Sequence, residues 1–281
     1  MKTPPRLAFT KLEALGNDFM LIDARRADPK LNAERVRWLG DRRRGVGFDQ
    51  LLVVHPASDP GESCRVAIYN SDGSVAEQCG NGMRALALWL SQRGEKVDHA
   101  RVNTPAGGVE LSCRDPDRIT ATIGIPGFGA LPGAVTDWPL QLTLDQETLA
   151  AYPVELGNPH VVALTSHPVS ENRLRRIAGI VRTHLGPDFD ANIGLARPTG
   201  SDRVDLQVDE RGAGPTPACG SGACAAAVVL ISLGQVNSPV TIRQRGGALV
   251  VHWAGKGHPV ALTGPARWVF EGEIEWPITP P

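Results

Sequence analysis

The sequence is internally repeated, and this repeat limits what the chain can fold into. Blocks of the first half recur in the second half in the same order, at a spacing of about 140 residues, which is half of the chain. The paired blocks are Leu15-Gly16-Asn17 and Leu156-Gly157-Asn158, Phe48-Asp49-Gln50 and Phe189-Asp190-Ala191-Asn192, Cys79-Gly80-Asn81-Gly82 and Cys219-Gly220-Ser221-Gly222, and Ala106-Gly107-Gly108-Val109 and Arg245-Gly246-Gly247-Ala248. The repeat predicts a duplicated domain with pseudo-two-fold symmetry.

The two halves carry the same secondary-structure signals. Short alternating stretches rich in β-branched residues predict strands at 51–54, 65–69, 119–123, 204–208, 240–243 and 248–253. Helices are predicted at about 81–92 and 221–233, with Asn81 and Ser221 as N-caps, and further helices at 32–42 and 170–185. The helix at 221–233 is apolar nearly all round, so it should be buried on every side.

These signals predict an α/β (α+β) fold of two pseudo-symmetric domains. In each domain a curved, mainly antiparallel sheet would wrap around a central helix. The Pro- and Gly-rich stretch 124–133 is the best candidate for the linker between the domains.

Composition excludes several functional classes. Lys and Arg number 29 against 30 Asp and Glu, so the net charge of −1 offers no basic surface for nucleic acid. No apolar run approaches the roughly 20 residues of a membrane-spanning helix, and residues 1–6 lack the apolar core of a signal peptide. We therefore expect a cytoplasmic protein with a small-molecule substrate and with no nucleic-acid or membrane partner.

The five cysteines do not form a disulfide or metal pattern. Their odd number argues against a disulfide framework. No pair has CxxC spacing, so no metal site is expected. A free cysteine is usually a small buried apolar residue. Cys79 and Cys219 need another explanation, because they occupy the same place in the repeat.

Cys79 and Cys219 each stand at the start of a predicted central helix. Unpaired N–H groups and the helix dipole stabilise an anion there, and they can lower the pKa of a thiol from its usual value of roughly 8.5. The glycines that follow allow a ligand to approach the backbone closely. Two such helix starts, facing each other across a cleft between the domains, would form one carboxylate-sized active site.

Two opposed cysteines suit the inversion of a carbon stereocentre. One thiolate would take the α-proton from one face, and a thiol would return a proton to the other face. The helix N-termini would stabilise the charge that develops on the substrate carboxylate. The alternative is that the cysteines only pack a tight interface. Their occurrence in register in both halves favours catalysis.

Polar residues at repeat positions are candidates for binding the substrate. The neutral amides are Asn17, Gln50, Asn70, Asn158 and Asn192. Glu210 and Arg211 supply an adjacent acid and base, which the zwitterionic head of an amino acid requires. His160 either orients the substrate, tunes the pKa of a thiol, or is structural.

These motifs resemble those of the diaminopimelate epimerases, the cofactor-independent epimerases of the lysine and peptidoglycan pathways. The resemblance covers nearly the whole chain, and its most specific blocks lie at 45–50, 78–84, 157–160, 191–194 and 210–224. It implies interconversion of L,L- and meso-2,6-diaminopimelate without pyridoxal phosphate, metal or another cofactor. It is also compatible with a homodimer. The C-terminal segment of the family returns to the first domain, which implies domains 1–123 plus about 268–281, and 124–267.

The resemblance also implies roles for individual residues. Cys79 and Cys219 would be the two bases, and the reacting carboxylate would be held by backbone donors of Gly80, Asn81, Gly220 and Ser221. The substrate, chiefly its distal end, would be bound by Asn17, Asn70, Asn158, Asn192 and Arg211. Gln50 and Glu210 would line the site, with Glu210 suited to an ammonium group.

The chain departs from the family pattern at two places. Family members often carry His where Glu13 stands. A Glu commonly precedes the Thr of the second cysteine loop, where this chain has Pro215 before Thr216. Neither position is expected to touch the substrate.

Two alternative functions remain open from the sequence. Proline racemases and hydroxyproline epimerases resemble this family in fold and in their paired cysteines. A non-catalytic thiol module, either a redox sensor that joins Cys79 to Cys219 or a metal binder, belongs to a different class.

Overall fold

The computed structural model describes residues 5–129, 131 and 138–276, which form four helices and eighteen strands. The helices are α1 (Ala33–Gly40), α2 (Gly80–Gln92), α3 (Glu171–Leu185) and α4 (Gly220–Ser232). The strands are β1 (Arg6–Ala14), β2 (Asn17–Asp23), β3 (Gln50–His55), β4 (Cys64–Asn70), β5 (Val75–Ala76), β6 (Ala100–Thr104), β7 (Gly107–Asp115), β8 (Arg118–Gly124), β9 (Leu140–Leu144), β10 (Glu147–Glu155), β11 (Pro159–Leu164), β12 (Asn192–Gly200), β13 (Arg203–Glu210), β14 (Gly214–Thr216), β15 (Val240–Gln244), β16 (Gly247–Trp253), β17 (Val260–Gly264) and β18 (Arg267–Glu275). Every strand and helix predicted from the sequence is present.

Contacts divide the chain into two compact units. The first comprises the described parts of Met1–Ala121 and Gly264–Pro281, and the second those of Thr122–Thr263. The domain boundaries expected from the sequence, at 123/124 and about 268, remain a prediction. No helix in the described part of the chain combines the length and the apolar character that crossing a membrane requires.

The strand pairing is the same in both units. Neighbours follow the order β18-β1-β2-β3-β4-β6-β7-β8 in the first unit and β9-β10-β11-β12-β13-β15-β16-β17 in the second. The parallel pairs fall at the same places, β2 with β3 and β4 with β6, then β11 with β12 and β13 with β15. The remaining pairs in both orders are antiparallel. The predicted α+β class with pseudo-symmetric halves is confirmed.

In each unit the sheet separates a central helix from an outer helix. The central helix α2 contacts strands from both ends of its sheet order, β18, β1 and β7 among them, so the sheet curves around it. On the other face, Val36 and Leu39 of α1 pack with Met20 and Ile22 of β2. Phe19, the residue before Met20, faces α2 instead, because successive side chains of a strand point to opposite faces. In the second unit, α4 and α3 take the central and outer places.

The central helices begin one residue earlier than predicted, and their N-caps differ. Cys79 and Cys219 are the N-cap residues, with extended backbones at φ −149° and −124°. The prediction that Asn81 and Ser221 cap these helices is therefore wrong. The sulfur atoms take the place of the usual capping oxygen, because each accepts a hydrogen bond from a first-turn N–H group.

The proposed linker is only partly covered by the described residues. Ala130 and residues 132–133 lie outside them. Within the described portion, Gly127 forms a β-bridge with Glu155 of the second unit, and the division between the units falls before this stretch, after Ala121. The part of 124–133 that is described thus belongs to the second unit of this division, and the linker remains a prediction.

Candidate active site

Cys79 lies at the positive end of α2. Its Sγ accepts a hydrogen bond from the Gly82 N–H at 3.2 Å, and the first intrahelical bond runs from Met83 N to the Cys79 carbonyl at 2.9 Å. The backbone N–H groups of Gly80 and Asn81 belong to the first turn of the helix, ahead of the first residue that makes an intrahelical hydrogen bond. The half-buried sulfur therefore sits among first-turn donors, where a negative charge is favoured.

Cys219 has the equivalent place at the start of α4. Its Sγ accepts from the Gly222 N–H at 3.4 Å and lies 3.6 Å from the Ser221 hydroxyl. The side-chain amide of Gln244 clasps the cysteine backbone, accepting from Cys219 N at 2.8 Å and donating to Cys219 O at 3.2 Å. This clasp fixes the position of the sulfur from outside the helix.

The two thiols differ in their surroundings. Cys219 is only 4% exposed, and its pKa is raised well above its usual range, chiefly by burial and further by the negative charge of Glu210. The hydrogen bonds from Ser221 and Gly222 act in the opposite direction but do not outweigh burial. The expectation that a helix start lowers the thiol pKa is therefore wrong for Cys219.

Asn17 and Asn81 form an amide pair beside Cys79. Oδ1 of Asn17 lies 4.0 Å from Cys79 Sγ, and it accepts a hydrogen bond from Asn81 Nδ2 at 3.5 Å. The Asn17 Nδ2 group points away and donates to Asp49 Oδ2 at 2.9 Å. A carbonyl oxygen is thus turned toward the sulfur.

Gln50 and Asn70 form a second amide pair in the first unit. They are direct cross-strand partners on β3 and β4, and Gln50 Nε2 donates to Asn70 Oδ1 at 3.0 Å. The Gln50 Oε1 atom is buried, and it makes no hydrogen bond within the described residues. A buried acceptor of this kind suits an ammonium donor.

In the second unit the polar residues cluster on adjacent parallel strands. His160 of β11 pairs in register with Asn192 of β12. His160 Nε2 lies 2.9 Å from Asn158 Oδ1, and complete burial lowers the pKa of His160 to about 3. The imidazole is therefore neutral at ordinary pH, and its contact orients Asn158. Asn192 Oδ1 in turn accepts from the backbone N–H of Arg211 at 2.9 Å.

Glu210 ends β13 close to Cys219. The Thr216 hydroxyl, on the neighbouring β14, donates a hydrogen bond to Glu210 Oε1. Thr216 follows Pro215, one of the departures from the family pattern, so this loop supports a candidate site residue directly.

At the other departure, Glu13 Oε2 accepts a hydrogen bond from Gly16 N at 3.1 Å in the turn before Asn17.

Sequence reasoning missed the residues that hold the site residues in place. Gln244 was not singled out, although it stands directly before the repeated block that begins at Arg245. Asp49 and Arg84 lie inside recognised blocks but were given no role. Arg84 is completely buried and donates to Asn81 Oδ1 at 2.9 Å. Side-chain contacts of this kind leave no periodic signal in a sequence.

Comparison with known proteins identifies the family. The diaminopimelate epimerase family model matches residues 9–128 and 152–269. The chain belongs to the diaminopimelate epimerase family. It is 41% identical over 278 residues to a diaminopimelate epimerase of Azoarcus sp., covering 96% of this chain and 99% of the relative. A diaminopimelate epimerase of Xylella fastidiosa is 38% identical over 274 residues, covering 95% of each chain.

The fold is shared more widely than the diaminopimelate epimerase family. A crystal structure of a hydroxyproline epimerase from Agrobacterium vitis matches with a TM-score of 0.66, covering 98% of this chain and 92% of that one. The two chains are only 16% identical, so this likeness concerns the fold alone. The prediction of an isomerase of the diaminopimelate epimerase family is confirmed, and the proline-type alternative is not favoured.

The metal-binding form of the thiol-module alternative requires a cluster of ligands. In the residues that the structure covers, no group of three or more His, Cys, Asp and Glu side chains is placed to hold a metal ion. The five cysteines are free thiols.

We expect Gly222→Ala to destabilise the protein in spite of alanine's better helix propensity. A Cβ at Gly222 would lie 2.8 Å from Val208 Cγ2 and 3.3 Å from Cys219 Sγ. Overpacking of this kind costs about 1–3 kcal/mol. At the matched position, a Cβ on Gly82 would meet its nearest atom, Leu52 Cδ2, at 3.2 Å, so Gly82→Ala should cost less.

Urea unfolding of the two glycine variants and of Gly222→Ala combined with Val208→Ala tests this expectation. A double-mutant cycle should show a favourable coupling, because Val208→Ala removes the clash. Full stability of Gly222→Ala without any coupling to Val208 would contradict the expected overpacking.

Proposed function

We propose that this protein interconverts L,L- and meso-2,6-diaminopimelate without a cofactor, with Cys79 and Cys219 as the two bases. The observation that carries the proposal is that both cysteines are N-caps of the central helices, at matched places in the duplicated fold of a diaminopimelate epimerase family member. A duplicated acid–base group serves a reaction in which a proton leaves one face of a carbon and arrives at the other.

The proposed reaction requires one cysteine to be ionised and the other protonated. The thiolate takes the α-proton, and the electron pair of the broken C–H bond is delocalised into the substrate carboxylate. The opposite thiol then gives its proton to the other face of the carbon and becomes the thiolate. The N–H groups at the two helix starts, on Gly80, Asn81, Gly220 and Ser221, stabilise the extra charge on the carboxylate.

The polar residues of each unit bind the amino-acid groups in this proposal. Arg211 holds the distal carboxylate, and Glu210 faces an ammonium group. The amides of Asn17, Gln50, Asn70, Asn158 and Asn192 supply neutral donors and acceptors. The neutral state of His160 supports an orienting role, through Asn158, rather than a role as a charged group.

Proton exchange in heavy water tests the proposed function. Reduced, metal-free protein is incubated with L,L-diaminopimelate, and deuterium at the α-carbon is followed together with the stereoisomers formed. We expect deuterium to enter as the meso isomer forms. No exchange with diaminopimelate, but exchange with proline or hydroxyproline, would replace this proposal with the proline-type alternative. No exchange with any of them would favour the thiol module.

We expect Arg211→Ala chiefly to raise KM, because it removes the partner of the distal carboxylate and leaves the cysteines untouched. A charge-assisted hydrogen bond contributes about 1.5–3 kcal/mol, which corresponds to a rise in KM of roughly 10- to 100-fold. Steady-state kinetics check this, with Arg203→Ala as the matched control, because Arg203 is exposed at the start of β13, the strand that ends just before Arg211. An unchanged KM would refute the placement of Arg211.

The homodimer and the cytoplasmic location remain predictions. Sedimentation equilibrium of the purified protein tests the first, and cell fractionation tests the second.

A further inference from the structure

The amide of Asn17 is held in one orientation by partners on both of its ends. Its oxygen accepts from Asn81 Nδ2 and faces Cys79 Sγ, and its nitrogen donates to Asp49 Oδ2. Turning the amide over would place two N–H donors against each other at Asn81 and two oxygens against each other at Asp49. The hydrogen-bond chemistry at both ends therefore selects one of the two orientations.

Asn81 is itself fixed by a buried guanidinium. Arg84 Nη2 donates to Asn81 Oδ1, so the Nδ2 group of Asn81 must point toward Asn17. Arg84 is also anchored to the carbonyls of Gly80 and Pro265, both at 3.4 Å. This end of the arrangement is held firmly, because both Asn81 and Arg84 are buried.

Asp49 is fixed at the other end by an ion pair and by backbone contacts. Its Oδ1 accepts from Arg42 at 2.8 Å, and its Oδ2 also accepts from the backbone N–H of Asp18 at 3.1 Å. Asp18 returns a hydrogen bond, accepting from Asp49 N at 3.0 Å. Burial would raise the pKa of Asp18, but hydrogen bonds from Arg42 and Lys11 lower it to about 2, so Asp18 is ionised and holds this network at ordinary pH.

The second unit builds the same helix start without this arrangement. Ser221 and Cys224 occupy the repeat positions of Asn81 and Arg84. The Oδ1 atom of Asn158, the counterpart of Asn17, is engaged by His160. Since α4 forms and caps in the same way as α2, the amide arrangement is not needed to fold a helix start. It is specific to Cys79.

We propose that Asp49 is a positioning residue that acts through Asn17, turning the Asn17 carbonyl oxygen toward the thiol of Cys79. Whenever Cys79 is protonated, its S–H group donates a hydrogen bond to this oxygen. The hydrogen bond fixes the direction in which the thiol proton points. The role in turnover rests on the proposed function, whereas the orientation of the amide does not. Asp49 need not touch the substrate.

The reactivity of Cys79 toward iodoacetamide measures this orientation without any substrate. In a Cys219→Ala background, the alkylation rate of the Cys79 peptide is followed by mass spectrometry across pH. Asp49→Leu removes the acceptor at the nitrogen end of the amide, so that only the 3.5 Å hydrogen bond from Asn81 opposes its rotation. When the amide turns, an N–H donor that favours the thiolate replaces the oxygen beside the sulfur. We expect the midpoint of the alkylation profile to move to lower pH. Asp49→Asn keeps an acceptor for Asn17 and should leave the midpoint unchanged.

Two further variants separate the proposal from a general effect of the network. Arg42→Met removes the ion pair to Asp49 but keeps the contact between Asp49 and Asn17, so the midpoint should stay in place. In an Asn17→Ala background, Asp49→Leu should have no further effect, because Asp49 acts only through that amide. A shift in Arg42→Met equal to that of Asp49→Leu, or a full shift without Asn17, would overturn the inference.

Turnover gives the second readout. With diaminopimelate, Asp49→Leu should lower kcat by up to about 100-fold, as expected for a misplaced reacting group, and Asp49→Asn should restore most of it. If the alkylation midpoint shifts in Asp49→Leu but the parent protein does not turn over diaminopimelate, the positioning role stands and the proposed function fails. If the parent protein turns over and Asp49→Leu leaves both the midpoint and kcat unchanged, the positioning role fails.

Discussion

Alanine in place of Cys79 or Cys219 is expected to abolish the epimerisation of diaminopimelate. General acid–base catalysis by a positioned group contributes about 100- to 10,000-fold, and each of these variants lacks one of the two groups. The fold should survive, because Cys79 is half-buried and each cysteine contributes only one capping bond from its sulfur. Far-ultraviolet circular dichroism and urea unfolding check the fold, and a chiral assay of the diaminopimelate isomers checks turnover.

Isotope exchange makes this test sharper than loss of turnover alone. A variant that retains one thiolate can remove the α-proton and return a solvent deuteron to the same face. We therefore expect one single variant to exchange the α-hydrogen of the L,L isomer without inverting it, and the other variant not to exchange it. When the substrate is the meso isomer, its reacting carbon has the opposite configuration. The other variant should then be the one that exchanges the α-hydrogen.

Cys113→Ala is the matched control for the removal of a thiol. Cys113 is half-buried on β7, and it lies outside both central helix starts. Its loss should leave epimerisation near the wild-type rate. Turnover near that rate in either Cys79→Ala or Cys219→Ala would rule out the two-base mechanism, and inversion by only one of them would indicate a single base.

The duplication and the helix starts could be predicted because they leave local or periodic signals. The blocks around Cys79 and Cys219 recur in order, and their glycines, followed by apolar runs, are typical of buried helices. The strands at 51–54 and 204–208 were likewise visible from alternation. They form parts of β3 and β13, which pair with β4 and β12 respectively. For these features, one stretch of sequence contains all of the determinants.

The contacts that adjust the site could not be predicted, because they join residues far apart in the sequence. Gln244 holds the backbone of Cys219 from 25 residues further along the chain. Asp49 and Asn17 are 32 residues apart in the sequence. The N-cap prediction failed for a related reason. Asn81 is a good capping residue by type, but its side chain is engaged by Arg84, and the sulfur of Cys79 caps the helix instead.

The pKa of Cys219 depends on its tertiary surroundings even more strongly. A helix start alone favours the thiolate, whereas burial and the charge of Glu210 raise the pKa of this thiol well above its usual range. Cys219 should therefore be protonated in the free protein at neutral pH. This is the state that the proposed reaction requires of the cysteine that delivers a proton.

Glu210→Gln is expected to lower the pKa of Cys219 and to impair turnover. The substitution removes a negative charge that opposes ionisation of the thiol, while burial continues to raise the pKa. The thiolate fraction grows as pH approaches the pKa. The alkylation of Cys219 by iodoacetamide should therefore begin at lower pH in Glu210→Gln than in the parent, with both measured in a Cys79→Ala background. Access to the buried sulfur slows both proteins alike, so the comparison of their profiles isolates ionisation.

Turnover should fall in the same variant, because Glu210 also faces the ammonium group of the substrate in the proposed complex. A loss of about 100-fold in kcat/KM lies within the range for a charged group of an acid–base site. Asp202→Asn, in the exposed turn before the same strand, removes the same charge and should change neither the alkylation profile nor kcat/KM. If the Cys219 profile stays in place in Glu210→Gln, burial alone sets the protonation of this thiol, and any lost activity then measures substrate binding by Glu210.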